Sequence, residues 1–398
     1  MSILSNLITR LSESETIAMA RKSRELQAQG IDIVNLSLGE PDFNTPDYIK
    51  TAAKKAIDDN FSKYTPVAGY VDLRNAISKK FKKDNNLNYT PEQIVVSTGA
   101  KQSLANAMLC LLDPGDEVLI PAPYWVSYLE IIKITGATSV LVPATIENNF
   151  KVTAEQLKKH ITPKTKLVVF SSPCNPTGTV YNKEELKAIA ELISSHKNIF
   201  IIADEIYEYI NYVGKHESIA QFDFIYDRVI TVNGMSKGYA MTGWRIGYIG
   251  APLIIAQACD KLQSQFTSGT SSIAQRAAYE AVNNTDYTII DSMRKEFKKR
   301  RDIVLELLGE IPGIKTNVPD GAFYVFPEVK NYFGKKFNGK EIKNADELSI
   351  YLLTEGHVAT VSGNAFGDKN CIRISYAASE NQIREAIKRI KNALSRLN

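Results

Sequence analysis

Short apolar runs rich in valine and isoleucine recur through the middle of the chain, at Ile94 to Ser97, Glu117 to Ile120, Thr138 to Val142, Lys166 to Phe170, Asn198 to Ala203 and Arg228 to Val232. Runs that are apolar on both faces and separated by helical stretches predict a largely parallel sheet covered on both sides. An Ile-Gly-Tyr-Ile run directly after Arg245 can return into the same sheet, which makes seven strands. Upstream, Glu15 to Gln29 reads as a helix ended by Gly30, and Ile31 to Leu38 as a short strand leading into the turn Gly39-Glu40-Pro41-Asp42. Thr45 and Pro46 predict a helix start with proline in the first helical position, and Lys63 to Leu73 reads as a loop of aromatic and turn residues. Helix follows strand again at Gly99 to Leu112. After Pro252 the period is helical for most of the way to Leu308, with a long polar-faced helix from Tyr287. Strand-like runs return at Gly321 to Phe326 and Cys371 to Ser375. The last helix begins at Ser379, whose side chain and Gln382 form a capping pair ahead of the stripe Ile383, Ile387, Ile390 and Leu394.

The expected architecture is therefore α/β, with a large domain over residues 45–285. An N-terminal arm (1–44) and a C-terminal part (286–398) would build a smaller α+β domain. A length of 398 residues suits this division, being too long for one ordinary core. Composition adds exclusions. The 48 basic and 44 acidic residues leave a formal charge of +4, spread along the chain. The densest basic run, Lys298 to Arg301, lies in a helical pattern and reads as a solvated helix face, not a nucleic-acid patch. No apolar run approaches the roughly 20 residues that span a bilayer, and the N-terminus has no secretory leader pattern. Cys110, Cys174, Cys259 and Cys371 have no paired spacing, which argues against both a zinc site and a disulfide framework. A cytoplasmic setting is expected.

Candidate chemistry clusters just past the strand ends, where ligands bind in open α/β sheets. The stretch from Thr231 to Gly250 sets Lys237 among Ser236, Gly238 and Tyr239, with Arg245 eight residues on. An amine held in a poorly solvated pocket near another cation loses basicity and becomes a nucleophile for a carbonyl, and an arginine grips phosphate bidentately. Together they describe a seat for pyridoxal phosphate (PLP); either residue alone would read as an ordinary surface group. After Ile94 to Ser97, Gly99, Ala100 and Lys101 open a helix whose free N–H groups can bind phosphate, although a lone glycine there is usually only a turn. Asn175 sits in a rigid Pro-Cys-Asn-Pro turn, where it holds a donor in place or merely stabilises the turn. Asp204 ends a wholly apolar strand, so its carboxylate would face a cation, of which a protonated pyridine nitrogen is one. Tyr207, three residues on, can donate to the cofactor's phenolic oxygen.

Gly39-Glu40-Pro41-Asp42, Tyr64, Tyr124-Trp125, Asn175-Pro176-Thr177-Gly178, Asp204-Glu205-Ile206-Tyr207, Ser236-Lys237, Gly243-Trp244-Arg245 and Arg373 occur in this order. In these motifs the chain resembles the fold-type I PLP-dependent aminotransferases of class I, close to the bacterial aspartate aminotransferase subgroup, over nearly its full length. The resemblance implies Lys237 as the residue that holds the cofactor in a Schiff base and moves the substrate proton. It implies Asp204 on the ring nitrogen, Tyr207 and Asn175 on the phenolic oxygen, and Trp125 stacked on the ring and beside substrate. Arg245, Gly99, the amides of Ala100 and Lys101, and Ser236 would hold the phosphate, joined by Tyr64 from the second subunit of a homodimer with shared sites. Arg373 would clamp the substrate α-carboxylate, with Gly39 and Asn175 also touching substrate. Gly234 departs from the pattern, since many relatives carry a phosphate-binding serine there. The implied reaction moves an amino group between an L-amino acid, aspartate first, and 2-oxoglutarate by a ping-pong route. Aromatic or alanine-type donors stay open, as do a C–S lyase and a cyclopropane-carboxylate-forming synthase on the same fold. A binding protein that had lost activity would be expected to lack the lysine or the carboxylate, and both are present. No metal, nucleic acid or membrane partner is expected.

Overall fold

The computed structural model describes residues 3–398. Its centre is a seven-stranded sheet with the spatial order Ile94–Ser97, Gly247–Gly250, Val229–Gly234, Phe200–Asp204, Thr165–Ser171, Glu117–Ala122 and Thr138–Pro143. All neighbouring pairs are parallel except those made by Gly247–Gly250, which runs antiparallel to both its neighbours. The Ile-Gly-Tyr-Ile run does return into the sheet, inserted between the first strand and the strand that precedes Lys237. That position brings Arg245 back beside the start of the helix Ala100–Leu111.

Alternate side chains of the strands enter opposite cores, as the period of two requires, except at the edge strand Thr138–Pro143, where only Val140 and Val142 pack inward. Leu167 and Val169 pack with Val118, Ile120, Ile202 and Ile230 against the helices Ala100–Leu111, Ser127–Thr135 and Leu253–Phe266. Val168 and Phe170 pack with Leu119, Ile201 and Val229 against Asp47–Asp58, Val71–Lys80, Lys183–Ser194 and Ser272–Asn283. Each fully buried branched or aromatic side chain contributes about 1.5–3 kcal/mol, so this double-sided burial anchors the strand ends that carry the chemistry. A further core gathers Val34 and Leu36 with Phe297, Val304, Leu308, Phe323, Tyr324, Leu352, Ile374, Ile383 and Ile390. The helix Thr288–Gly309 joins the cores, with Ile290 and Met293 in the sheet's and Phe297 and Val304 in the other.

Several local expectations change. Only Val34–Asn35 of the run Ile31 to Leu38 is strand, because its one ladder partner is the short strand Val358–Ala359. Only Tyr324–Val325 is strand within Gly321 to Phe326. Pro46 is the N-cap of its helix, one position earlier than expected. Arg228 lies before its strand, and its guanidinium donates to the Ile193, Ser194 and His196 carbonyls at the end of the helix Lys183–Ser194, where a cation is favoured. The basic run at 298–301 is a solvated face only in part. Lys298 and Lys299 are exposed, but Arg300 and Arg301 are buried. Arg300 pairs with Asp42 at 2.6 Å and lies over the Phe43 ring, and Arg301 donates to the Pro319 carbonyl at 2.9 Å. A planar guanidinium is buried in this way more readily than an ammonium, because it stacks on rings while its donors are spent laterally.

Candidate active site

A cavity of about 290 Å³ opens at the carboxyl ends of the parallel strands. Gly39, Ala100, Lys101, Trp125, Asn175, Asp204, Tyr207, Ser236, Lys237, Arg245 and Arg373 all line it. Of the residues assigned a cofactor or substrate role from the sequence, only Gly99 and Tyr64 do not, and they differ in kind. Gly99 lies directly behind the wall, whereas Tyr64 is 99% exposed.

The floor is Asp204, the last residue of its strand and 5% exposed. Its carboxylate accepts from the Tyr128 hydroxyl at 2.8 Å and from the Ile206 amide at 3.3 Å. Burial outweighs these bonds and pushes the carboxyl up to about 6, so the ionised form gains from a cation placed beside it. Lys237 projects from the loop after Val229–Gly234 and donates to the Gly39 carbonyl at 2.6 Å. Burial, with Arg373 and Arg245 nearby, draws its amine down to about 8 against the pull of Glu40 and Asp204. Such an amine loses its proton far more readily near neutral pH than an ordinary lysine does.

Arg245 and the helix Ala100–Leu111 form an anion cradle. The helix has no side-chain cap, and the amides of Gln102 and Ser103 turn back to the Gly99 carbonyl, which leaves the Ala100 and Lys101 amides for the cavity. Gly99 has φ +84°, and a Cβ there would stand 2.4 Å from an Arg245 guanidinium nitrogen. Only glycine lets the guanidinium lie across the helix start. Arg245, itself at φ +56°, donates to the Thr242 carbonyl at 3.1 Å, and Thr242 bonds Glu40. At Gly234 a Cβ would meet the Ile246 carbonyl oxygen at 2.7 Å, so the strand pairing itself excludes a serine there. The hydroxyl-bearing residues that do line the cavity from this loop are Ser236 and Thr242.

On the opposite wall Arg373, 2% exposed, donates to Asn175 Oδ1 at 2.9 Å and to the Ser37 carbonyl at 2.6 Å. Its guanidinium lies between the rings of Tyr324 (4.6 Å) and Phe366 (4.8 Å), while its buried Nε has no partner. Tyr207 shares a 2.7 Å hydrogen bond with Tyr324. Trp125 stands over the helix start with the Lys101 ammonium 5.0 Å from its ring. Tyr128, Tyr324, Phe366 and Ser37 had not been anticipated. Tyr128 had one usable signal, since it lies one helical turn beyond Tyr124-Trp125; Ser37, Tyr324 and Phe366 lie in parts of the chain far from it and carry no motif. Ser14, Thr16 and Ile17 of the N-terminal arm also line the cavity.

A family profile described as "Aminotransferase class I and II" matches residues 31–390. The chain belongs to this family. Among curated aminotransferases, one from Rhizobium leguminosarum bv. phaseoli, named as a probable aspartate/prephenate aminotransferase, is 47% identical over 395 residues, covering 98% of each chain. The aspartate aminotransferase of Bacillus sp. strain YM-2 is 46% identical over 390 residues, again covering 98% of each. Among solved structures, the Rhizobium meliloti aspartate aminotransferase superposes with a TM-score of 0.96 at 40% identity, covering all of both chains. The Thermus thermophilus enzyme with maleate gives 0.93 at 39% identity, covering 99% of this chain and 100% of that one. The aminotransferase described here thus uses PLP, and its cavity fits that group. The cradle kept open by Gly99 suits the phosphate, and the buried Asp204 suits a ring cation.

Proposed function

We propose that the enzyme exchanges an amino group between aspartate and 2-oxoglutarate. The observation that carries this reading is the separation of cations in the cavity. Lys237 is placed for the cofactor aldehyde, Arg245 for its phosphate and Arg373 for the substrate α-carboxylate, which leaves the Lys101 ammonium on the Trp125 side as the remaining lining cation. A second substrate carboxylate, present in aspartate and 2-oxoglutarate but not in alanine or phenylalanine, is the charge it would match. The names of the relatives from Rhizobium and Bacillus support the same substrate class.

In this assignment Asp204 holds the ring nitrogen, Tyr207 and Asn175 the phenolic oxygen, and Trp125 the ring face. Arg245, Ser236 and the Ala100 and Lys101 amides hold the phosphate. Bound PLP supplies an electron sink for the pair left when the substrate α C–H bond breaks. The Lys237 amine, brought down to about 8, is the base that would take that proton and deliver it to the carbon on the far side of the substrate nitrogen. Arg373, with one donor on Asn175 and one on Ser37, orients the α-carboxylate so that the C–H faces Lys237. Trp125 and the Ser14–Ile17 segment restrict water at the mouth.

Lys101→Gln tests the substrate reading. The expected result is a loss of about tenfold or more in kcat/KM for aspartate and 2-oxoglutarate, with alanine and phenylalanine nearly unchanged. Equal loss for all substrates would move Lys101 to the phosphate and reopen the choice of donor, for which prephenate belongs in the acceptor panel. Ammonia and pyruvate from a cysteine conjugate, without oxaloacetate from aspartate, would favour a lyase instead.

The homodimer is part of the same proposal, and what supports it is Tyr64, fully exposed and not part of its own cavity wall. A Tyr64→Asp chain mixed with a Lys237→Ala chain should regain activity after subunit exchange, since one site of each hybrid has both native groups. No recovery despite exchange would confine Tyr64 to its own chain. Among the described residues no helix is long and apolar enough to cross a membrane, which supports a cytoplasmic enzyme; fractionation of cells checks it.

A further inference from the structure

The turn Asp204 to Glu208 divides its side chains between two sites. Asp204 and Tyr207 line the cavity. Glu205 and Glu208 point the other way into a second polar cluster, in which Lys80, Asn85, Glu205, Glu208, His216 and Ser218 are each less than 10% exposed. Lys80 pairs with Glu208 and donates to Asn85 Oδ1 at 2.8 Å, and the Asn85 amide donates to Glu208 Oε2 at 2.9 Å. His216 Nε2 lies 3.0 Å from Glu205 Oε2, and the Ser218 hydroxyl donates to Glu205 Oε1 at 2.5 Å. The Glu205 amide is tied to the Val232 carbonyl at 2.9 Å, so the peptide that follows Asp204 is held from behind as well.

Glu205, Glu208 and His216 present ligand atoms within 4.8 Å of one another, a spacing that suits a metal ion. The Lys80 ammonium already supplies a cation there and would repel a divalent one at this burial. The charges point to another role. Two buried carboxylates face one ammonium, and an imidazolium at His216 completes the balance. Burial lowers the His216 pKa, but the Glu205 and Glu208 carboxylates override it and raise it, against a smaller opposing effect of Lys80. On the cavity side, burial and, less strongly, the Glu205 charge push the Asp204 carboxyl up.

We propose that His216 is a positioning residue for the cofactor site, neutralising Glu205 behind the turn so that Asp204 stays ionised and Asp204 and Tyr207 stay aimed into the cavity. The inference rests on the assignment of Asp204 to the cofactor ring. His216→Gln leaves the Glu205 charge stranded. PLP titration of the apoenzyme, followed by protein fluorescence, should give a dissociation constant about tenfold higher, and kcat should fall by about the same factor while the KM for aspartate changes little. Adding Glu205→Gln, which removes the charge and keeps the oxygen that Ser218 bonds, should restore both to within about threefold of wild type. A His216→Gln protein with altered melting but native PLP affinity and kcat would overturn the proposal, and so would a double variant no better than the single.

Should His216→Gln fail to fold, Glu205→Gln alone decides: the acid limb of PLP binding should move to lower pH, and an unmoved limb would refute the inference. Activity lost on chelation and restored by zinc would make the cluster a metal site instead. Asp204→Ala run alongside separates the two levels, because native PLP affinity in that variant would remove the cofactor assignment itself.

Discussion

The two sides of the turn that ends the central strand differ in how their charges are matched. Behind it, Glu208 meets Lys80 and Asn85, and Glu205 meets His216 and Ser218. In the cavity, Lys237 donates to a carbonyl, Arg245 to a carbonyl, and Arg373 to a carbonyl and an amide oxygen, none of them a carboxylate. A protein interior tolerates charges when they are paired. Cations that have only neutral partners keep their attraction for an incoming anion, and an acid without a cation keeps its attraction for an incoming ring nitrogen. The difference teaches how to separate a site from a brace: both are polar clusters at the same turn, but only the site is under-matched in charge.

Changes on the two sides should therefore fail in different ways. The largest effect is expected from Lys237→Ala, which removes the base that moves the substrate proton. Its kcat should drop by about 10⁴-fold with the melting temperature close to wild type. Retention of appreciable turnover without added amines would show that the proton travels by another group.

Lys80→Met cuts on the other side. It strands Glu208 in the interior and should cost about 3–5 kcal/mol of folding stability, read by chemical denaturation. The pH dependence sharpens this. Burial pushes Glu208 up, but Lys80 and His216 hold its carboxyl below the ordinary range. Its paired state thus stabilises the fold above the unfolded carboxylate pKa, and that contribution is lost as pH falls through the lower folded value. The gap between wild type and Lys80→Met should be widest near neutral pH and should close in acid. A gap that stayed constant down to pH 3 would mean that Lys80 contributes by packing alone.

The smallest of the three effects is expected from Arg373→Lys, which keeps the charge and loses the fork. A loss of roughly 10- to 100-fold in kcat/KM should appear for every amino and oxo acid alike. Loss restricted to dicarboxylates would exchange the roles of Arg373 and Lys101.

Much of this was legible in the order of residues. The strands are short and mostly apolar on both faces, which places them in the sheet of an α/β fold; which of them are edges, Ile94–Ser97 and Thr138–Pro143, was decided by the packing. Asp204 at the end of its strand, Lys237 and the Gly99 helix start past the ends of theirs, and Arg245 ahead of Gly247–Gly250 reach one cavity because parallel strands finish, and the antiparallel one begins, at the same edge. Periodicity and motif spacing are local properties, and local properties decide which strand a residue terminates. They also exposed the absence of a serine at Gly234, though not its reason, which is the backbone of Ile246 and Gly247 across the sheet.

What only the tertiary structure decided depends on residues far apart in the chain. Tyr128 reaches Asp204 across 76 positions, Tyr324 reaches Tyr207 across 117, and Arg373 reaches Ser37 across 336. The basic run that read as one solvated face was divided by the packing of Arg300 against Asp42 and Phe43. The Glu205–His216 pairing likewise arises from a loop that folds back under its own strand. No periodicity encodes such contacts, because a charge finds its partner through the packing of whole elements, and that packing is set by the buried cores rather than by the polar residues that come to rest between them.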